Sequence, residues 1–139
     1  MITRVIMPLV LIVDEDKIVV QYLYAHFKLS GYEVNMAFSA SECLRLLEQS
    51  DPGNIDAVLM DGKIAEDRGA MVVSRIKQLN KDTKILVVAN NDNPKNIILE
   101  YGADDFIIKP VCGETLVSKI NMLIQAKFNG KLKHAQRPF

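Results

Sequence analysis

The stretch "PLVLIVDEDK", residues 8–17, decides the fold. Leu9 to Val13 are apolar with no polar alternation, and they run straight into Asp14, Glu15 and Asp16. A strand with no solvent-facing position must be covered on both faces, as in a parallel sheet held between two helix layers. Adjacent carboxylates repel one another, and burying them is costly unless something positive joins them.

Working outward, strand-length apolar runs alternate with segments of helical period. Lys17 to Leu29 carries Val19, Tyr22, Leu23 and Phe27 at helical spacing. Asp16 is its expected N-cap, and Ser30, Gly31 and Tyr32 stop it. "YEVNMA" alternates, with Tyr32, Val34 and Met36 on one face. Ser39 or Ser41 caps a helix that runs to Glu48, and "SDPGN" is a loop. "IDAVLMD" reads as the third strand. Gly69 leads into a helix over Ala70 to Asn80, striped by Val72, Val73, Ile76 and Leu79. "TKILVVA" is the fourth strand. Pro94 suits the first turn of a helix that ends at Gly102. "DFIIK" is the fifth strand, and Glu114 to Phe128 the last helix, with Leu116, Ile120, Leu123 and Ile124 inward. Five strands alternating with five helices, joined by right-handed crossovers, give an open, doubly wound α/β sheet.

A chain of 139 residues with 49% hydrophobic content predicts one packed domain, residues 1–128. Residues 129–139 lack apolar periodicity and read as a flexible basic tail or linker stub, with Lys127, Lys131, Lys133 and Arg137 solvated. Seventeen basic residues balance seventeen acidic ones, so no whole-molecule charge points to nucleic acid or a membrane surface. Cys43 and Cys112 form no CxxC group and read as reduced thiols in a cytoplasmic protein. The opening "MITRVIMPLVLIV" has Arg4 before an apolar run, as a signal peptide does. That run is too short to span a bilayer, and it ends in Asp14 instead of a small-residue cleavage site.

In such a sheet, ligands bind at the carboxyl ends of the strands. The first strand ends in Asp14 and Glu15, the third in Asp61 followed by Gly62, and the fifth in Lys109 followed by Pro110. The topology is expected to gather Asp14, Glu15 and Asp61 at one edge with Lys109 facing them. Oxygen-only ligands with room for water favour Mg²⁺. A metal beside a lysine is equipment for phosphoryl transfer, with a carboxylate as nucleophile.

Four stretches in order, "LIVDED", "DAVLMDGKIAEDRG", "KILVVAN" and "GADDFIIKP", resemble the motifs of the response regulator receiver domains of two-component signalling. Gly69 stands eight residues after Asp61, as in that pattern, and the resemblance covers about residues 8–128. It implies a flavodoxin-like (βα)5 sandwich with strand order 2-1-3-4-5. It further implies that Asp61 accepts a phosphoryl group from a histidine kinase or histidine phosphotransfer protein. Asp14, Glu15 and Asp61 would hold Mg²⁺, or Mn²⁺ as a substitute, with the backbone carbonyl of Lys63. Lys109 would pair with the phosphoryl oxygens, the Lys109–Pro110 bond would be cis, and Phe106 would be the switch aromatic. The last two helices and the fifth strand would dock a downstream protein or a second copy of the chain. Such a domain is a switch that catalyses only its own phosphorylation and dephosphorylation, with no direct nucleic-acid or membrane partner.

The sequence departs from that pattern in places. Ala89 stands where the family has Ser or Thr, and Asn90 follows with an amide donor that substitutes only if the register shifts by one. Ile64 replaces the usual Met and Ala65 the usual Pro, and Lys63 brings an ammonium close to the phosphoacceptor. A pseudo-receiver, an interaction module with weak phosphate coupling, is therefore the competing expectation. Asp14 and Asp16 also form the Asp-x-Asp pair of a haloacid dehalogenase-type phosphatase, but capping is the simpler role for Asp16. His26 is a lone histidine on the first helix, and the Met residues read as core filler.

Overall fold

The computed structural model describes residues 7–51, 54–67 and 70–136; Gly69 and the first six residues lie outside them. Five strands form one parallel sheet in the order β2-β1-β3-β4-β5. They are β1 (Leu9–Val13), β2 (Glu33–Ala37), β3 (Ala57–Asp61), β4 (Lys84–Ala89) and β5 (Asp105–Ile108). The helices are α1 (Lys17–Leu29), α2 (Ala40–Gln49), α3 (Gly62–Glu66), α4 (Met71–Leu79), α5 (Lys95–Glu100) and α6 (Gly113–Gln136).

All five residues of β1 and of β3 are buried, as unalternating apolar strands require. Their side chains nonetheless alternate between two cores. Leu11, Val13, Val58, Met60 and Val87 pack with α2, α3, α4 and α5. Val10, Ile12, Leu59, Leu86 and Val88 pack with α1 and α6. Fully burying each such side chain contributes about 1.5–3 kcal/mol. Thr83, also buried, donates its hydroxyl to the Ile55 carbonyl at 2.8 Å.

Local signals set the helix starts. Asp16 caps α1, accepting the N–H of Ile18 at 2.9 Å. Ser39, not Ser41, caps α2 by accepting the N–H of Glu42 at 3.1 Å, and Glu42 reaches back to the N–H of Phe38. Pro94 is the N-cap of α5 and precedes its first turn.

Three expectations change. The segment after Asp61, which the five-helix reading left without a helix, is the short helix α3 with Ile64 and Ala65 buried. Asp61 caps it, and Ala65, unlike proline, keeps an N–H and is a good helix former. The last helix, expected to end at Phe128, continues to Gln136, and residues 137–139 of the expected tail lie outside the described residues. A helix nucleated against the sheet propagates through Lys, Leu, Ala and Gln without an apolar stripe. Tyr32 is buried but Met36 is 40% exposed, because β2 is an edge strand open on one side.

Candidate functional site

Three strand ends build the site. Asp14 directly follows β1, and its N–H extends the ladder to the Ala37 carbonyl at 3.1 Å. Asp61 is the last residue of β3. Lys109 directly follows β5, and its N–H donates to the Ala89 carbonyl at 2.8 Å. Backbone pairing therefore fixes all three Cα positions before any side chain acts.

Lys109 Nζ donates to Asp61 Oδ1 at 2.8 Å, and the Lys63 N–H donates to Asp61 Oδ2 at 3.1 Å. Each carboxylate oxygen is thus held by a different donor, and the Asp61 side chain is only 8% exposed. Asp14 is buried beside it and accepts the Asp16 N–H on Oδ1 at 2.9 Å. Burial pushes the Asp14 carboxyl above its ordinary pKa, and the Asp61 charge adds to this. The Asp16 N–H and the Lys109 ammonium oppose the rise. The Lys109–Pro110 peptide bond is cis.

Glu15 does not join them. Among the described residues, no group of three or more His, Cys, Asp or Glu is gathered to hold a metal ion. Asp14 and Asp61 line one cavity, whereas Glu15 lines a neighbouring depression with Lys63 and Asp67. Successive residues leaving a strand project in opposite directions, so the pair Asp14–Glu15 divides between the two. The donor set still fits a hard divalent ion: two buried carboxylates, oxygens only, in a mutual repulsion that a cation relieves. The Lys63 carbonyl and a water-bridged Glu15 are the further oxygens available nearby.

Asp16 is occupied as the α1 cap. Ala89 is buried and offers no hydroxyl, and Asn90 is exposed. Phe106 is 8% exposed, its ring already inside the core on the α5 side. His26 stacks edge-on against Tyr22, ring centroids 4.6 Å apart. Burial pushes the Cys43 thiol up to about 12, so it is inert, and Cys112 is exposed.

Sequence reasoning missed two contacts. A Cβ on Gly62 would lie 2.5 Å from the Ala89 Cβ and 2.9 Å from its Cα. Position 62 is therefore glycine because the turn after Asp61 sits directly on the end of β4. The Gly113 N–H donates to the Tyr22 hydroxyl at 3.1 Å, tying the start of α6 to α1. A glycine after a strand-end aspartate was the only sequence signal for the first contact, and none existed for the second.

The sequence model of the family described as "Response regulator receiver domain" matches residues 10–121. The chain belongs to the response regulator receiver domain family. Such domains serve phosphorylation-dependent two-component signalling. The chain is 31% identical over 127 residues to "Transcriptional regulatory protein PrrA" of Mycobacterium leprae, covering 90% of this chain and 53% of that protein. It is 32% identical over 132 residues to "Transcriptional regulatory protein AruR" of Pseudomonas aeruginosa, covering 93% and 52%. It thus spans about half the length of these relatives. The CheY-like receiver domain from Methanospirillum hungatei superposes with a TM-score of 0.80 at 25% identity, over 89% of this chain and 98% of that one. In fold alone, the chain also resembles a Burkholderia pseudomallei response regulator solved with a phosphorylated aspartic acid and a calcium ion (TM-score 0.73, 18% identity, 94% and 75% coverage). No helix among the described residues is long and apolar enough to cross a membrane.

Proposed function

We propose that Asp61 accepts a phosphoryl group from the phosphohistidine of a histidine kinase or histidine phosphotransfer protein, and that the product alters protein–protein contacts. One observation carries the reading: a buried strand-end carboxylate held at 2.8 Å by Lys109 Nζ, with Asp14 beside it. An Asp61 oxygen attacks phosphorus, the P–N bond to the imidazole breaks as the P–O bond forms, and the departing imidazole takes a proton from solvent. Mg²⁺, or Mn²⁺ in its place, would supply positive charge for the phosphoryl oxygens. Asp14, Asp61 and the Lys63 carbonyl would hold it, with Glu15 contributing through water. Lys109 follows the charge from the Asp61 carboxylate to the phosphoryl group.

The output face is α5, β5 and α6, where Ile97, Tyr101, Ile108 and Met122 are exposed at 39%, 40%, 47% and 65%. That surface suits a downstream protein or a second copy of this chain. The setting is the cytoplasm, and no direct contact with nucleic acid or membrane is assigned to this domain. Residues 1–128 form the receiver and 129–139 its extension.

Ala89 favours a second reading, a pseudo-receiver whose output face responds weakly to phosphate. Incubation with Mg²⁺ and acetyl phosphate, followed by intact mass, tests the first reading. The wild type gains one phosphoryl increment and Asp61→Asn does not; equal gain by both removes Asp61 as acceptor. Amide exchange over residues 90–112, with and without beryllofluoride, separates the two readings, since a large change there rules out the pseudo-receiver.

A further inference from the structure

The cavity beside Asp61 is larger and more apolar than phosphoryl chemistry uses. Its volume is about 370 Å³, within the range of roughly 300–1,000 Å³ common for small-molecule sites. Only Asp14, Asp61 and Lys109 at one end carry charge. Ile12, Leu59 and Val88 of the sheet, Leu23 of α1 and Leu116 of α6 wall the rest. A phosphoryl group and its hydrated metal gain nothing from that wall, because placing charge against hydrocarbon is unfavourable. The Tyr22 ring also lines the space, and its hydroxyl accepts the Gly113 N–H at 3.1 Å, so the α1 side of the cavity is fastened to the start of α6.

The charge at the polar end selects the ligand. Two carboxylates face one ammonium, which leaves one negative charge in excess. An anion is repelled, a neutral apolar molecule uses the walls alone, and a cation with a short apolar body uses both.

We infer that this cavity binds a small monocationic amphiphile, an ammonium or amidinium against Asp14 and Asp61 with its apolar body against Leu59, Val88 and Leu116. The inference rests on the proposed function only for its consequence: such a ligand occupies the carboxylates needed for Mg²⁺ and so opposes phosphorylation.

The test uses the full chain, ¹⁵N-labelled, titrated with phenethylamine, with phenethyl alcohol and phenylacetate as parallel arms. Phenethylamine should give saturable shifts at residues 12–14, 59–61 and 109–116, with the alcohol at least tenfold weaker and phenylacetate silent. Added Mg²⁺ should raise the apparent Kd of the amine. Leu59→Phe, which fills the cavity, should abolish amine binding and keep Mg²⁺ binding; Leu116→Phe serves if that variant does not fold. Absence of saturable amine shifts overturns the inference, as does equal binding of the alcohol or undiminished amine binding by a folded cavity-filled variant. Failure of Mg²⁺ binding or of phosphorylation, measured separately, would count against the proposed function while amine binding stood.

Discussion

Lys109 Nζ lies 2.8 Å from Asp61 Oδ1, although 48 positions separate the two residues. The contact joins the ends of two strands that are not neighbours, since β4 lies between β3 and β5. Lysine's reach spans that gap, and its ammonium also acts on the more distant Asp14, whose carboxyl it holds down against burial. Replacing Lys109 by Met removes this influence. The Asp14 carboxyl should then titrate higher than in the wild type, as carbon-detected NMR titration of its side chain would reveal. An unchanged Asp14 curve would disprove the coupling.

Asp14 gives a pH dependence of defined sign. Its folded pKa is raised, mainly by burial, above the ordinary value of 3.8. Between those two values the folded state binds more protons than the unfolded, so this group lowers stability as pH rises through the window. Asp14→Asn should therefore stabilise the metal-free protein at neutral pH. The gain should shrink as pH falls and vanish once it is below the ordinary value of 3.8. Urea unfolding at both pH values checks this, and a destabilised Asn variant at neutral pH would refute it.

Gly62 leaves no room for a methyl group of its own against Ala89. Gly62→Ala places a Cβ 2.5 Å from the Ala89 Cβ, an overpacking that costs about 1–3 kcal/mol. Adding Ala89→Gly removes the Cβ–Cβ clash but leaves the new Cβ 2.9 Å from the residue-89 Cα, so it should recover only part of the loss. Additive destabilisation in the double variant would exclude this explanation.

Asp16 accepts the N–H groups of Ile18 and Val19 at 2.9 and 3.4 Å. Asp16→Ala should cost about 1 kcal/mol of stability and leave Mg²⁺ affinity unchanged by calorimetry. A tenfold weaker Mg²⁺ affinity would instead make Asp16 part of the metal site.

At the opposite end of the sheet, Lys77 Nζ donates to the Thr83 carbonyl at 2.7 Å and to Asp104 Oδ2 at 2.8 Å. Asp104 Oδ2 also accepts the Ile85 N–H at 2.8 Å. Hydrogen bonds to charged groups contribute about 1.5–3 kcal/mol, less here because both side chains are partly exposed. Lys77→Met should lower stability by roughly 1–2 kcal/mol without altering the initial rate of phosphorylation. A slowed rate would show that this network reaches the site.

The sequence by itself determined the fold and most of the site. Unalternating runs such as Leu9–Val13 and Ala57–Asp61 declare strands buried on both faces, and a doubly wound sheet offers such positions at its centre, here β1, β3 and β4. Polar residues at the ends of those runs then mark the carboxyl edge, so Asp14, Asp61 and Lys109 were legible from hydropathy and order alone. What only the tertiary structure decided depends on direction and close approach. Glu15 parts from Asp14 because adjacent side chains leave a strand on opposite sides, a fact that a run of carboxylates hides. The meeting of Gly62 with Ala89, and of Tyr22 with Gly113, depends on how closely two backbones or two helices approach. Periodicity records which face of an element is apolar, whereas such distances are set by the packing of all the elements at once.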